Sequence, residues 1–210
     1  MEQKFDFKEF FNDYGLDFEI FNTFVERSGI ELDYDNGPWI AGGAIRRAIM
    51  RKPANESDID LFFKNEKQML ETQEKLLKCG YVKSLETAHS AFFQLKKAPS
   101  DFLGNLFTRI NLVFIHFYDC PEEIIDTFDY TICQFATDLK TLVCGQYSLF
   151  DLANRRLRIH TITYPNASLR RMVKYGKQGF TACDGTIVEF IQIVRSMREE
   201  QLNLVFRYID

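Results

Sequence analysis

Disulfide frameworks, cysteine-rich metal sites and membrane spans all leave marks that this sequence lacks. Its five cysteines are odd in number, widely spaced and without a Cys-x-x-Cys pair: Cys79, Cys120, Cys133, Cys144 and Cys183. This pattern argues against both a disulfide framework and a zinc site. No stretch approaches ~18 uninterrupted apolar residues, and the first residues have no apolar signal-peptide core. We therefore expect a reduced, cytoplasmic protein that does not contact membranes.

An excess of positive charge is missing as well. The chain has 26 Lys and Arg against 30 Asp and Glu, for a net charge of −4, and its pI is near 5.5. Proteins that coat nucleic acids are normally basic, so any contact with RNA must be local. The basic residues are concentrated in three clusters: Arg46, Arg47, Arg51 and Lys52; Arg155, Arg156 and Arg158; Arg170, Arg171, Lys174 and Lys177.

Material for a hydrophobic core is abundant. The 210 residues are 46% hydrophobic and include 21 Phe, enough to fill the core of one or at most two domains. Apolar periodicity and turn residues predict helices in the second half of 7–27 and at 44–50, 66–79 and 121–128. They predict strands at 39–41, 58–63, 81–82, 90–95, 109–117, 131–137 and 141–143. We expect a loop at 96–107 and mainly helix after residue 150.

The most informative segment begins at a pair of glycines. The apolar residues 39–41 suit a short buried strand, and residues 44–50 suit a helix. Between them, Gly42 and Gly43 allow the backbone to turn tightly and to approach a phosphate closely. The first N–H groups of the following helix would face that phosphate, so the segment predicts an anion-binding turn.

Two carboxylates follow the glycine pair within a predicted strand. Because side chains alternate along a strand, Asp58 and Asp60 lie on one face, about 6–7 Å apart, while Ile59 points to the other. Converging carboxylates suit Mg²⁺, which prefers oxygen ligands and leaves positions open for substrate phosphates. Two such ions can activate an attacking hydroxyl and bind a leaving pyrophosphate, so the combined pattern predicts a nucleotide-transferring metal site.

Three segments resemble, in the same order, the head of the nucleotidyltransferases of the DNA polymerase β superfamily. The tRNA nucleotidyltransferase and bacterial poly(A) polymerase branch is the most similar. Residues 40–62 resemble its Gly-Gly-x-Val-Arg-Asp helix and Asp-Ile-Asp-Leu strand, and residues 128–133 resemble its Arg-Arg-Asp-Phe-Thr-Ile-Asn segment. Residues 169–180 resemble its Leu-Arg-x-x-Arg-Phe-Ala … Gly-Phe helix. Short stand-alone proteins of this shape are familiar from phage and large-virus genomes.

The resemblance implies an α+β fold, in which a mixed nucleotidyltransferase-like sheet packs with helices. We expect a catalytic domain with an N-terminal helix over residues 1–150 and a small helical, neck-like region over 151–210. The implied reaction transfers NMP from an NTP to a hydroxyl, with an RNA 3′ end, as in tRNA, as the expected acceptor. Asp58 and Asp60 are the implied ligands of two Mg²⁺ ions and are catalytic together with Asp129. The implied nucleotide-binding residues are Gly42, Gly43, Arg46, Arg47, Ser57, Arg171 and Lys174.

Several positions depart from the pattern of this branch. Arg47 stands where the branch has Asp, so a positive charge suited to phosphate replaces a polar contact. Residues 164–168 lack the Glu-Asp-x-x-Arg that selects the base in the tRNA enzymes. Asn111 occupies the position on a neighbouring strand where superfamily members often add a third carboxylate. Either Asp129 fills that role or the site has two carboxylates, in which case Asp129 contacts the sugar or is structural.

Two classes of function therefore remain. The first is a metal-dependent nucleotidyltransferase acting on RNA or, alternatively, on a protein hydroxyl. The second is a weak or inactive nucleotide-binding or interaction module, such as an antitoxin or an inhibitor of a host system. The missing strand carboxylate favours the second class. The retained pair Asp58 and Asp60 favours the first, because two like charges facing each other destabilise a fold unless a cation lies between them.

Overall fold

In the part of the chain that the structure describes, eight strands form one mixed sheet. The structure, a computed structural model, describes residues 2–53, 56–96 and 107–198. Its strands lie in the order β1-β8-β7-β2-β3-β6-β5-β4. They span β1 Gln3–Asp6, β2 Trp39–Ala41, β3 Ile59–Phe62, β4 Tyr81–Glu86, β5 Ser90–Leu95, β6 Arg109–Val113, β7 Phe135–Thr137 and β8 Thr141–Cys144. The pairing of β3 with β6 is parallel, and the other pairings are antiparallel.

Helices flank the sheet and follow it along the chain. They span α1 Phe7–Asp13, α2 Glu19–Ser28, α3 Gly43–Ile49, α4 Glu66–Lys78, α5 Pro121–Asp126, α6 Ser148–Ala153, α7 Pro165–Lys177 and α8 Asp184–Ser196. Local sequence signals define several of their ends. The Asn65 side chain accepts a hydrogen bond from the Gln68 N–H at the start of α4, and Pro121 occupies the first turn of α5.

Each face of the sheet is buried in its own cluster of apolar side chains. On β3, Ile59 and Leu61 belong to the larger, Phe-rich cluster that includes residues of α1, α2 and α4. Phe62 points the other way, into a smaller cluster with Trp39 and with residues of α5. Asp60 shares this second face because side chains alternate along a strand. The alternation of β3 therefore buries its apolar side chains and presents its carboxylate beside the smaller cluster.

The α+β class is confirmed, and the structure corrects several predicted bounds. Strand β1 was not predicted. Residues 131–133, predicted as strand, form a short 3₁₀-helix whose Thr131 hydroxyl donates to the buried Asp151 carboxylate at 2.8 Å. Strand β6 ends at Val113 rather than at residue 117. The predicted loop at 96–107 lies almost entirely outside the described residues, and the domain boundary near residue 150 stays a prediction.

Within the described ranges, no helix combines the length and the apolar character that crossing a membrane requires.

Candidate active site

The glycine pair lies where β2 turns into α3. Gly42 has a φ of 84°, in the left-handed region that side chains rarely adopt, and its N–H donates to the Phe135 carbonyl at 2.8 Å. A Cβ on Gly42 would lie 3.8 Å from Asp60 Oδ2, and one on Gly43 would lie 3.0 Å from Ser57 Oγ. The backbone here therefore passes close to both Asp60 and Ser57.

Strand β6 gives each of the paired carboxylates a partner. The parallel register sets Asp60 opposite Asn111, whose Nδ2 donates to Asp60 Oδ1 at 2.8 Å. Arg109 lies two residues earlier, and its Nε is 2.7 Å from Asp58 Oδ1. This ion pair lacks hydrogen-bond geometry, so the buried Asp58 Oδ1 has no hydrogen-bond partner among the described residues. A buried carboxylate oxygen left in this way retains its capacity to bind a cation.

The electrostatics of Asp60 connect the sheet to α7. Burial, with a smaller contribution from the neighbouring Asp58 charge, raises the pKa of Asp60 to about 7. The Asn111 hydrogen bond and the charges of Arg171 and Lys174 act in the opposite direction. These two cations, both predicted nucleotide-binding residues, therefore lie within electrostatic reach of Asp60. A divalent ion at the carboxylates would likewise favour the charged form of Asp60.

Asp129 is paired with a cation rather than grouped with the other two aspartates. Its side chain is buried and accepts a hydrogen bond from Arg171 Nη1 in an ion pair. The preceding residue, Phe128, has its ring 3.5 Å from where a Gly42 Cβ would lie, so Asp129 follows the wall of the glycine turn. Residues 2–53, 56–96 and 107–198 contain no group of three or more His, Cys, Asp or Glu side chains suited to a metal ion. The choice between a metal-binding and a sugar-contacting or structural role for Asp129 stays a prediction.

The two arginines of α3 are engaged by protein groups. Arg46 is buried, its guanidinium lies 4.5 Å from the centre of the Tyr175 ring, and it donates to Gln178 Oε1 at 3.2 Å. Arg47 pairs with Glu56 and donates to the Pro53 carbonyl at 2.8 Å. Arg46 thus links α3 to α7, and Arg47 braces the segment before Asp58. Their direct contact with a nucleotide stays a prediction.

Sequence reasoning missed Arg109. The register of the parallel pair β3 and β6 identifies this residue. Asp60 lies opposite Asn111, so Asp58, two residues before Asp60, lies beside Arg109, two residues before Asn111. A single sequence contains the residues but not this pairing. The structure therefore adds a third basic residue, besides Arg171 and Lys174, to the surroundings of the carboxylates.

The sheet and its flanking helices form a nucleotidyltransferase-like fold. Known structures with this fold include the Thermotoga maritima CCA-adding enzyme complexed with tRNA, with a TM-score of 0.64 and 19% identity over 96% of this chain and 49% of that one. A CCA-adding enzyme complexed with CTP gives a TM-score of 0.66 at 18% identity, over 96% of this chain and 50% of that one. The complex with ATP gives 0.65 at 18% identity and the same coverage. At these identities the likeness establishes the fold, and this chain spans about half of each enzyme.

The chain belongs to the Gabija anti-defense 2 family, whose profile matches residues 2–155. A relative named Gabija anti-defense 2, from Bacillus phage SPbetaL7, is 28% identical over 167 residues. The match covers 78% of this chain and 38% of the relative, so this chain spans well under half of the phage protein. The expected phage connection is therefore supported by a phage relative.

Proposed function

We propose that this chain is a metal-dependent nucleotidyltransferase that transfers NMP from an NTP to a hydroxyl, and that this transfer counters a host defence. The observation that carries the proposal is the pair of carboxylates beside the glycine turn. Asp58 Oδ1 is buried without a hydrogen bond, and Asp60 Oδ2 faces Gly42. The same oxygen lies 2.7 Å from Arg109 Nε in an ion pair without hydrogen-bond geometry, a contact that a metal ion could replace.

The residues fit the Mg²⁺ ions that this fold implies. Asp58 and Asp60 would hold the metal, which when bound would neutralise phosphate charge and favour a reactive hydroxyl. Gly42 and Gly43 leave room for the phosphates at the backbone, and Ser57 Oγ lies beside them as a hydrogen-bond donor. Two Asp side chains occupy fewer coordination positions of a metal ion than three would. Substrate phosphates and water would therefore complete the coordination.

The cations of α7 support the same proposal. Arg171 and Lys174 lie within electrostatic reach of Asp60, and Arg171 is also held by Asp129. A nucleoside triphosphate carries about four negative charges, which Arg and Lys side chains neutralise through charge-assisted hydrogen bonds. We infer that α7 binds the triphosphate from the side opposite β3, and that Asp129 orients Arg171.

The proposed acceptor is an RNA 3′ end. One structure with the same fold is complexed with tRNA, and others are complexed with CTP or ATP. Residues 164–168 lack the base-selecting pattern of the tRNA enzymes, so the proposal does not extend to a particular base. A protein hydroxyl is the alternative acceptor, because the same phosphoryl chemistry serves any positioned hydroxyl.

A second function is favoured by one specific observation. Asn111 stands opposite Asp60 where related enzymes often have a carboxylate, which is the expected change in a module that has lost turnover. Such a module would inhibit the host system by binding alone. The family name, an anti-defence protein, is compatible with both functions.

One experiment separates these functions and identifies the acceptor. The protein is incubated with each α-labelled NTP, Mg²⁺ and either total RNA or protein from a host lysate, and labelled macromolecules are resolved on gels. Label in RNA that is absent with Asp58→Ala supports the proposal, and label in protein identifies the alternative acceptor. Metal-dependent NTP binding without labelled product would support the inhibitory module instead.

A further inference from the structure

Strand β6 places the cationic side chain of Arg109 beside the carboxylates of Asp58 and Asp60. Ile110 pairs with Ile59 in the parallel register, so Arg109 and Asn111 share the sheet face of Asp58 and Asp60. Asn111 reaches Asp60 with a hydrogen bond of 2.8 Å, whereas Arg109 reaches Asp58 with an Nε to Oδ1 distance of 2.7 Å. Arg109 thus places a positive charge directly against the Asp58 carboxylate.

The ion pair between Arg109 and Asp58 is weak enough to be broken by a competing cation. The Arg109 side chain is 53% exposed and that of Asp58 is 34% exposed. Asp58 Oδ1 itself is buried, but ion pairs between side chains that are this exposed contribute little stability. The pair also lacks hydrogen-bond geometry at Asp58 Oδ1. A divalent ion that binds several oxygen atoms at once would therefore displace the guanidinium.

Arg109 has a second contact that keeps it near the site after such a displacement. Its Nη2 donates to the Glu56 carbonyl at 3.2 Å, directly before Ser57 in the chain. Ser57 Oγ faces Gly43, which places this loop beside the proposed phosphate position. A guanidinium presents a planar fork of donors that matches phosphate oxygens. Arg109 therefore has both the chemistry and the location to bind a phosphate group.

We propose that Arg109 is a mobile counter-ion, which pairs with Asp58 in the metal-free protein and moves to a nucleotide phosphate when a divalent ion binds. This inference rests on the proposed function, because it assumes that metal and nucleotide bind at Asp58 and Asp60. It assigns Arg109 a role in nucleotide binding. It also explains how the protein tolerates two neighbouring carboxylates before a metal ion binds.

The test measures metal and nucleotide binding separately by calorimetry with Arg109→Gln. Mn²⁺ alone, without nucleotide, should bind about fivefold more tightly than to wild type, because the competing cation is gone. A non-hydrolysable ATP analogue with Mg²⁺ should bind about tenfold more weakly, because a phosphate donor is lost. The opposite signs are the signature of a counter-ion that moves between two partners.

Matched variants complete the design. Lys83→Gln removes the same charge from an exposed ion pair with Glu86 on β4, at the far edge of the sheet, and should change neither affinity. Arg109→Lys keeps the charge without the planar fork, so Mn²⁺ affinity should stay near the wild-type value while analogue affinity falls. If thermal melting shows that Arg109→Gln does not fold, Arg109→Lys still tests the proposal.

The opposite results are equally defined. Arg109→Gln affinities that are unchanged, or that fall together, would overturn the counter-ion role, since loss of loop support alone weakens both. Wild-type protein that binds neither Mn²⁺ nor the analogue would overturn the proposed function itself. Binding by wild type with no effect at Arg109 would overturn the inference alone.

Discussion

The sheet and helix α7 both contribute to the candidate site, but the sheet and the C-terminal helices are built differently. In the sheet, backbone register fixes which side chains meet, and the neighbours of Asp60 on β3, Ile59 and Leu61, are fully buried. The C-terminal helices are less enclosed. Large apolar side chains on α7 and α8 are 43–55% exposed: Leu169, Val173, Ile187, Val188 and Ile191. The family profile also ends at residue 155, before these two helices begin.

This difference separates two kinds of contribution to one site. The carboxylates depend on a rigid register, so their replacement should affect the chemistry directly. Arg171 and Lys174 extend from a helix on long side chains, and such groups adjust their position more easily. We therefore expect large losses of turnover from changes in the sheet and graded losses of affinity from changes that involve α7.

Removal of either carboxylate is expected to have the largest effect. Asp58→Ala and Asp60→Ala should each lower NMP transfer at least about a thousandfold, because metal-based stabilisation of the transition state is lost. Melting temperature without Mg²⁺ should hold or rise, since repulsion between the carboxylates is relieved. Asp13→Ala, at an exposed position in α1, is the control and should change neither quantity. Activity within a fewfold of wild type in both site variants would contradict the assignment.

A side chain at the glycine turn should have the next largest effect. Gly43→Val should weaken NTP binding about tenfold, because even its Cβ would lie 3.0 Å from Ser57 Oγ and the branched group would fill the phosphate space. Calorimetry in Mg²⁺ measures this affinity. Gly176→Ala in α7, where a Cβ meets nothing within 4 Å, should leave it unchanged. If folded Gly43→Val protein bound the NTP with unaltered affinity, the glycine pair would be only a turn and not a phosphate-binding site.

Asp129 tests the helical side of the comparison. Asp129→Asn removes the charge that holds Arg171, so KM for the NTP should rise several-fold and preference for ribonucleotides over deoxyribonucleotides should weaken. The turnover rate should change less. Steady-state kinetics with ATP and dATP measure both quantities. A loss of turnover by orders of magnitude with weaker Mg²⁺ dependence would instead make Asp129 a metal ligand.

The expected effect furthest from catalysis is a pH dependence of stability without metal. The raised pKa of Asp60, about 7, means that the folded protein binds this proton more tightly than the unfolded chain does. The free energy of unfolding should therefore fall as pH rises from about 4 to about 7. Asp60→Asn lacks this dependence. The melting temperature of this variant minus that of wild type should therefore rise across that range and stay constant at higher pH. A constant difference from pH 4 to 8 would contradict the raised pKa.

Local signals in the sequence predicted the parts of the fold that local interactions determine. The glycine turn, the carboxylate strand and the capped helix at 66–79 all follow from neighbouring residues. Strand β1 does not, because Gln3–Asp6 has one apolar residue, Phe5, and is held by pairing with β8. The 3₁₀-helix at Thr131 likewise depends on Asp151, twenty residues away. Arg109 belongs to this second group, since only pairing between distant strands brings it to Asp58.

The parallel pairing of β3 with β6 also has an evolutionary consequence. The residues that face each other across this pair are separated by an excursion over residues 63–108, which includes α4, β4 and β5. Insertions within that excursion would lengthen the surface and leave the facing residues in place. A single residue inserted near the start of β6 that shifted the strand's register by one would present Ile110 to the carboxylates and turn Arg109 and Asn111 away. Natural variants should therefore differ freely in the length of the excursion while keeping the spacing within β6.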